Sequence, residues 1–140
     1  MFDLRKGEIS QSRQNPSLIH EFKHSILVLG DHQYFKGYCV LILKTHVREL
    51  HELGAEFQKE LFGELMMAGQ AVFEAFKPWK MNYSCYGNQV PHVHWHIFPR
   101  YESDPDRLKQ PWHHSAEFDK HPTREEEKTE RIPLIQSRLK

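Results

Sequence analysis

Three histidines recur at a spacing of two in the stretch Pro91-His92-Val93-His94-Trp95-His96-Ile97-Phe98-Pro99-Arg100. A β-strand turns successive side chains to opposite faces, so His92, His94 and His96 are expected to share one face. Val93, Trp95 and Ile97 then point the other way, into a core. These intervening residues favour strands. Pro91 and Pro99 bracket the run where strand ends tolerate proline. A helix would spread the same three rings around its axis. Three gathered imidazoles suit three kinds of chemistry. They can ligate a metal as neutral rings. They can sit solvated on an exposed sheet face. They can also catalyse, one ring attacking and its neighbours handling protons and phosphate charge. Spacing alone leaves all three open.

The run His92-Val93-His94-Trp95-His96-Ile97-Phe98 matches the pattern His-h-His-h-His-h-h, with h apolar, and Pro99-Arg100 follow it. In this it resembles the histidine-triad (HIT) nucleotide hydrolases and transferases. The approach Gly87-Asn88-Gln89-Val90-Pro91 is similar to that family's phosphate-binding turn, and the likeness extends upstream to about Ser25. The resemblance implies attack on the α-phosphate of an adenine nucleotide conjugate, either a diadenosine polyphosphate or a nucleoside phosphoramidate. A nucleotidyl-histidine intermediate follows, which water cleaves. By the same resemblance His94 is the nucleophile, and its far ring nitrogen needs an acceptor such as a backbone carbonyl or His92. His96 donates to a phosphate oxygen or the leaving group, and His92 belongs to the supporting network. The Gln89 amide and the backbone N–H groups of Gln89 and Val90 face the phosphate. Asn82 lies near the phosphate as well. Asp31 grips the ribose, or else is only a turn residue after Gly30. Leu27 and Leu29 wall the base, or else pack the core. The scheme needs no metal and no cofactor. Its partners are a purine nucleotide substrate and a second copy of the chain.

Two positions depart from the family pattern. Where many members carry a fourth histidine after the glycine of the central strand, Gly37 is followed here by Tyr38, and Leu43 stands at a customary proline. A tyrosine can hydrogen-bond but cannot shuttle a proton at neutral pH as histidine does. His46 matches a second histidine position of the family and reads as a structural cap on a helix start. Two other functions stay open beside the enzyme: a nucleotide-binding sensor or scaffold with little turnover, and a zinc-binding protein. The zinc reading has only three clustered histidines where structural zinc takes four ligands.

At 140 residues the chain is long enough for one domain with a real core. Its 19 basic and 19 acidic residues cancel, which argues against a nucleic-acid binder driven by electrostatics. Cys39 and Cys85 make no disulfide framework, and each lies in an apolar run, so buried free thiols are expected. The N-terminus lacks the apolar core of a signal peptide, and no stretch reaches the roughly 18 apolar residues that span a membrane. A cytoplasmic protein is expected.

The elements that must position the triad can be read in order. Residues 1–16 are a polar lead-in ending in a turn at Asn15-Pro16. Ser17–Phe22 and Ser25–Leu29 predict two strands, and the apolar run Gly37–Leu43 predicts a central strand buried on both faces. Thr45 is placed to cap a short helix over Val47–Leu53. A long helix follows from Ala55 to Phe76, with Phe57, Leu61, Leu65, Ala68, Val72 and Phe76 repeating every three to four residues, and Pro78 stops it. Phe62, Met66 and Phe73 lie off that stripe and call for a second partner, either another protomer or the chain's own tail. Met81–Tyr86 and Val90–Phe98 predict a hairpin with a short Gly-containing connection. The class is α+β, a HIT-like fold with an antiparallel sheet of about five strands, one long and one short helix, and a C-terminal extension. Residues 1–100 are expected to form the catalytic domain and 101–140 to dock on it as one unit. In that tail, Thr123-Arg124-Glu125-Glu126 reads as a capping box, Pro133 as a kink or stop, and His113-His114 as a solvated pair.

Overall fold

The computed structural model describes residues 15–139. Most of the polar lead-in falls outside the described residues. Its closing turn is present, with the Leu18 N–H donating to the Asn15 carbonyl at 3.0 Å. Five strands follow: β1 (Leu18–Glu21), β2 (Ser25–Leu29), β3 (Cys39–Leu43), β4 (Lys80–Ser84) and β5 (His94–Arg100). They form one antiparallel sheet in the order β1-β2-β3-β5-β4. The α+β class with a five-stranded antiparallel sheet is therefore the architecture of the chain.

The long helix α1 spans Ala55–Phe76, the limits that the periodicity and Pro78 set. It ends on Lys77, whose φ of 50° is left-handed. Leu65, Ala68 and Val72 pack on Leu27, Leu29, Leu41 and Ile97 from one face of the sheet, and Leu61 packs with Leu43, Leu53 and Val93. The buried Glu64 carboxylate accepts the Ser25 hydroxyl at 2.7 Å and the His24 N–H at 3.1 Å. The β1–β2 turn is thus fastened to α1 by charge-assisted bonds, which are stronger than neutral ones. A second helix, α2 (Glu125–Gln136), inserts Ile132 and Ile135 into the same cluster.

The opposite sheet face carries Ile26, Val28, Tyr38, Val40, Ile42 and Phe98, and a 3-10 segment, Pro111–Lys120, closes over part of it through Phe118 and Trp112. The C-terminal extension therefore docks on both faces of the sheet. The β3 run is buried at every position, as its unbroken apolarity requires.

Several local expectations give way to other geometry. The short helix over Val47–Leu53 is only a 3-10 turn at Leu50–Glu52, preceded by Glu49 and not capped by Thr45. Glu49 donates its N–H to Glu52 at 3.0 Å, a local bond that suffices for one turn. The connection from β4 to β5 spans residues 85–93, longer than a tight hairpin loop, because Pro91 cannot donate to the ladder. Pro99 lies inside β5 and does not end it, since β3 pairs only as far as Ile97. Cys39 is buried, whereas Cys85, in that connection, is exposed. Thr123 does not cap α2: its hydroxyl donates to the Gly30 carbonyl at 2.6 Å, and Arg124 takes the cap, its N–H bound by Glu127 at 2.9 Å. Pro133 is accommodated within α2.

Candidate active site

β5 delivers two of the three histidines. Register pairs His94 with Ile42 and His96 with Val40, so both rings lie on the sheet face away from α1. His92 precedes the strand. It is buried, with its ring bonded to the Leu43 carbonyl at the end of β3.

The hydrogen bonds fix the proton on each ring. His92 Nε2 lies 2.5 Å from the Leu43 carbonyl, which can only accept, so Nε2 carries the hydrogen. Its Nδ1 is then free to accept, and His46 Nδ1 donates to it at 3.0 Å. His94 Nδ1 donates to the His92 carbonyl at 2.7 Å. A neutral His94 therefore has its lone pair on Nε2, the nitrogen directed away from the backbone. The Tyr38 hydroxyl meets His96 Nδ1 at 2.6 Å. Burial pushes the Tyr38 pKa far up, so the phenol stays protonated and donates, leaving the hydrogen of His96 on Nε2. The site thus presents one nucleophilic nitrogen beside one N–H donor, with the two rings 5.0 Å apart.

Burial, with smaller contributions from His94 and His32, pulls the His96 pKa down to about 4. Burial also lowers His92, opposed by its bond to the Leu43 carbonyl. His32, buried between Tyr38 and Phe118, is lowered by the same cause. Each ring folds neutral, while the unfolded chain takes up its proton near pH 6.5. The stability these neutral rings contribute is complete above that value and is lost below it, for His96 as pH falls from about 6.5 toward 4. Thermal melts should therefore show a falling midpoint already between pH 6.5 and 4.5, before carboxylates titrate. His96→Asn should flatten that slope; an unchanged slope would remove His96 from the account.

Tyr38 reaches His96 because Gly30 leaves it room: a Cβ at Gly30 would come within 2.2 Å of the Tyr38 ring. Tyr38 also stacks on Phe98 at 4.4 Å. The residue that departs from the family pattern is thus built into the site as an orienter of His96. His46 is no helix cap; its ring serves His92 instead.

The remaining sequence candidates are distributed unevenly. Gln89 is exposed and Val90 half-buried in the connection before β5, where the Val90 carbonyl accepts the His92 N–H at 2.8 Å. Asn82 lies on the triad face but opposite Phe98, one strand step beyond His96, and its side-chain oxygen accepts from Arg100 at 3.1 Å. Asp31 is exposed after β2, its carbonyl bound by the Thr123 N–H at 3.0 Å. Leu27 and Leu29 cannot wall a base on the triad face, because both pack toward α1. His114 is not solvated but buried against Tyr34 and Phe35, whereas His113 is exposed, 3.6 Å from the exposed Asp106. Trp112 is the residue that sequence reasoning placed only in the tail's packing. Its ring meets His96 edge-on at 4.9 Å, and its N–H points to the Ser84 hydroxyl at 3.4 Å. Nothing local in the sequence marks that contact.

Among the described residues no three His, Cys, Asp or Glu side chains are grouped to hold a metal ion. The geometry explains this for the triad: both nitrogens of His92 and one each of His94 and His96 are already engaged.

The sequence pattern of the HIT domain matches residues 11–103. The chain belongs to the HIT family. A HIT relative, Protein hit of Bacillus subtilis (strain 168), is 31% identical over 88 residues, which cover 59% of this chain and 61% of that protein. The chain thus aligns with only about three-fifths of that relative's length. Among solved structures, a histidine triad protein from Bradyrhizobium japonicum superposes with a TM-score of 0.78 at 20% identity, over 92% of this chain and 96% of that one. One from Marinobacter aquaeolei VT8 gives 0.76 at 25% identity, over 99% and 96%. These likenesses establish the HIT fold over nearly the whole chain, tail included. No helix among the described residues is long and apolar enough to cross a membrane.

Proposed function

We propose that this protein cleaves an adenine nucleotide conjugate at the α-phosphate through a nucleotidyl-histidine on His94. The observation that carries this reading is the 2.7 Å bond from His94 Nδ1 to the His92 carbonyl. It leaves Nε2 as a lone-pair nitrogen and gives the ring a dipole that offsets the positive charge developing on attack. In the first step the Nε2 lone pair bonds to the α-phosphorus, and the bond to the leaving group breaks with its electron pair. In the second, water bonds to phosphorus, the P–N bond breaks, and the electron pair returns to Nε2. A nucleoside monophosphate and a proton are released. His96 Nε2–H hydrogen-bonds a phosphate oxygen. Gln89, the Val90 N–H and Asn82 are assigned to the phosphates, and Asp31 to the ribose.

A panel of dinucleoside polyphosphates and nucleoside phosphoramidates, followed by release of nucleoside monophosphate, tests the reading. Turnover of at least one class is expected, and turnover of none overturns it. The same assay should be unaffected by EDTA, since the scheme uses only side-chain and backbone groups. Loss of activity restored by zinc would favour a metal site instead. The second reading, a nucleotide-binding sensor with little turnover, is favoured by one feature, Tyr38 in place of a proton-carrying histidine. Nucleotide binding without turnover would select it.

We further propose a homodimer built on the helix side of the sheet. The tail leaves Phe62 61%, Met66 38% and Phe73 41% exposed on α1. Beside them Tyr83 lies so close to Gly69 that a Cβ there would come within 2.2 Å of its hydroxyl, yet Tyr83 remains 41% exposed. Such a contiguous apolar patch fits an isologous two-fold contact. Sedimentation equilibrium at micromolar protein should give twice the 16.8 kDa chain mass; a single species at chain mass excludes the dimer.

A further inference from the structure

Tyr38 comes to His96 on the loop between β2 and β3, residues 30–38. Within that loop Gln33 is buried, and its side-chain amide is fully used. Its Nε2 donates to the His32 carbonyl at 3.0 Å and to the Tyr38 carbonyl at 2.9 Å. Its Oε1 accepts the Gly37 N–H at 2.9 Å and Arg131 Nη1 at 2.9 Å. An amide has two donor hydrogens and two acceptor lone pairs, so no capacity is left over. A buried polar network satisfied in this way holds one geometry. The bonds to the Gly37 N–H and the Tyr38 carbonyl bracket the step at which the chain turns, with φ 90° at Gly37, and enters β3. The main chain of Tyr38 is bound elsewhere too: its N–H donates to the Phe35 carbonyl at 3.0 Å, and its carbonyl also accepts the Gly30 N–H at 2.9 Å. Arg131 reaches the amide from α2, where Glu127 pairs with it at 3.2 Å. A hydrogen bond from a cation is stronger than one between neutral groups.

We propose that Gln33 is a positioning residue of the triad: it fixes the Tyr38 phenol against His96 Nδ1, and Arg131 of α2 in turn fixes Gln33. The proposal deepens the nucleotidyl-transfer reading and rests on it for its effect on rate. Tyr38 stacks on His32 and on Phe98, with ring centroids 4.5 and 4.4 Å away. Stacking resists movement across the ring plane but leaves sliding along it, so the in-plane position of the phenol falls to the clasp on its backbone. That position matters because a neutral imidazole carries its hydrogen on either nitrogen, and the bond made by one nitrogen decides the other. With the Tyr38 hydroxyl 2.6 Å from His96 Nδ1, His96 presents Nε2–H to the phosphate. A slide of about 1 Å takes the hydroxyl out of hydrogen-bond range. His96 is then released to the other tautomer, whose Nε2 lone pair repels a phosphate oxygen. The helix of the extension thus reaches the reacting group through three links, Arg131 to Gln33, Gln33 to Tyr38 and Tyr38 to His96.

Gln33→Glu tests this. A carboxylate still accepts from Gly37 and Arg131, and the guanidinium matches its charge, but it has no hydrogen for the His32 and Tyr38 carbonyls and repels both. In wild-type protein labelled with 15N-histidine, at neutral pH, His96 is assigned by its absence in His96→Asn and should show a protonated Nε2 and an accepting Nδ1. In Gln33→Glu the two ring shifts should converge as the second tautomer is populated. The kcat for release of nucleoside monophosphate should fall by roughly tenfold or more, with KM within about threefold of wild type. Unchanged His96 shifts in Gln33→Glu overturn the proposal, and so do converged shifts with kcat within about twofold of wild type. Gln136→Met is the control, since it deletes an amide bond from α2 to the Ile19 carbonyl of the edge strand β1, 2.9 Å long. It should leave the His96 shifts and kcat alone; an equal effect there makes the cause the docking of α2 and overturns the role of Gln33. Should Gln33→Glu not fold, Arg131→Met carries the same comparison one link further out, with a smaller convergence in the same direction expected and none overturning the proposal. A wild type that turns over no nucleotide conjugate defeats the nucleotidyl-transfer reading, and the ring shifts alone then decide whether Gln33 positions His96.

Discussion

His94→Ala should lower turnover by roughly three orders of magnitude or more, with fold and nucleotide affinity close to wild type. The large effect follows from the covalent role: without the Nε2 lone pair, a two-step displacement has no first step. The small effect on fold follows from the half-buried position of His94 on the sheet face, where its one hydrogen bond is to the His92 carbonyl, an acceptor that solvent can satisfy in its place. A residual rate above roughly a tenth of wild type is incompatible with a covalent nucleophile at this position. His94→Gly should regain part of the lost rate with added imidazole, since the vacated space lies beside His96 and opens to the substrate.

The second large effect concerns stability. Arg100 ends β5 and is only 1% exposed. Its Nε donates to Asp104 at 3.0 Å, and its Nη1 donates to Asn82 at 3.1 Å and to the Lys109 carbonyl at 2.7 Å. Its guanidinium also lies over Phe35 at 4.7 Å. One side chain thereby ties the triad strand to β4 and to the loop that follows it. Arg100→Met keeps much of the volume but takes the positive charge from the Asp104 carboxylate, whose side chain is 12% exposed, and leaves it only the Tyr101 N–H at 2.9 Å. Breaking a buried pair from one side typically costs about 3–5 kcal/mol. Urea denaturation should show a loss in that range, and Arg100→Met/Asp104→Leu should recover part of it. A loss under about 1 kcal/mol would mean the pair is solvated and does not organise the loop.

The sequence was most legible where one local pattern decides the outcome. β2 and α1 have the limits that apolar runs, Gly30 and Pro78 imply, because burial periodicity and chain breakers act over a few residues. The triad was legible for the same reason, its spacing of two being the period of a strand. The network behind it was not. His46 reaches His92 across 46 residues and Tyr38 reaches His96 across 58, and neither pairing leaves a mark in its own neighbourhood. The strand itself begins only at His94, so His92 stands just ahead of it. Leu27 and Leu29 looked equivalent to Ile26 and Val28 in composition, and only the register of β2 against β3 decides which pair faces the triad. Trp112 shows the same limit: its contact with His96 depends on how the extension folds back after Arg100.

The most direct test of the account is rapid acid-free quenching of wild-type protein with a dinucleoside polyphosphate, followed by mass spectrometry of the intact chain and its peptides. The account predicts a transient mass increase of one nucleoside monophosphate on the peptide carrying Pro91–Arg100, absent in His94→Ala. Turnover with no adduct at any quench time, or an adduct that persists in His94→Ala, would contradict it.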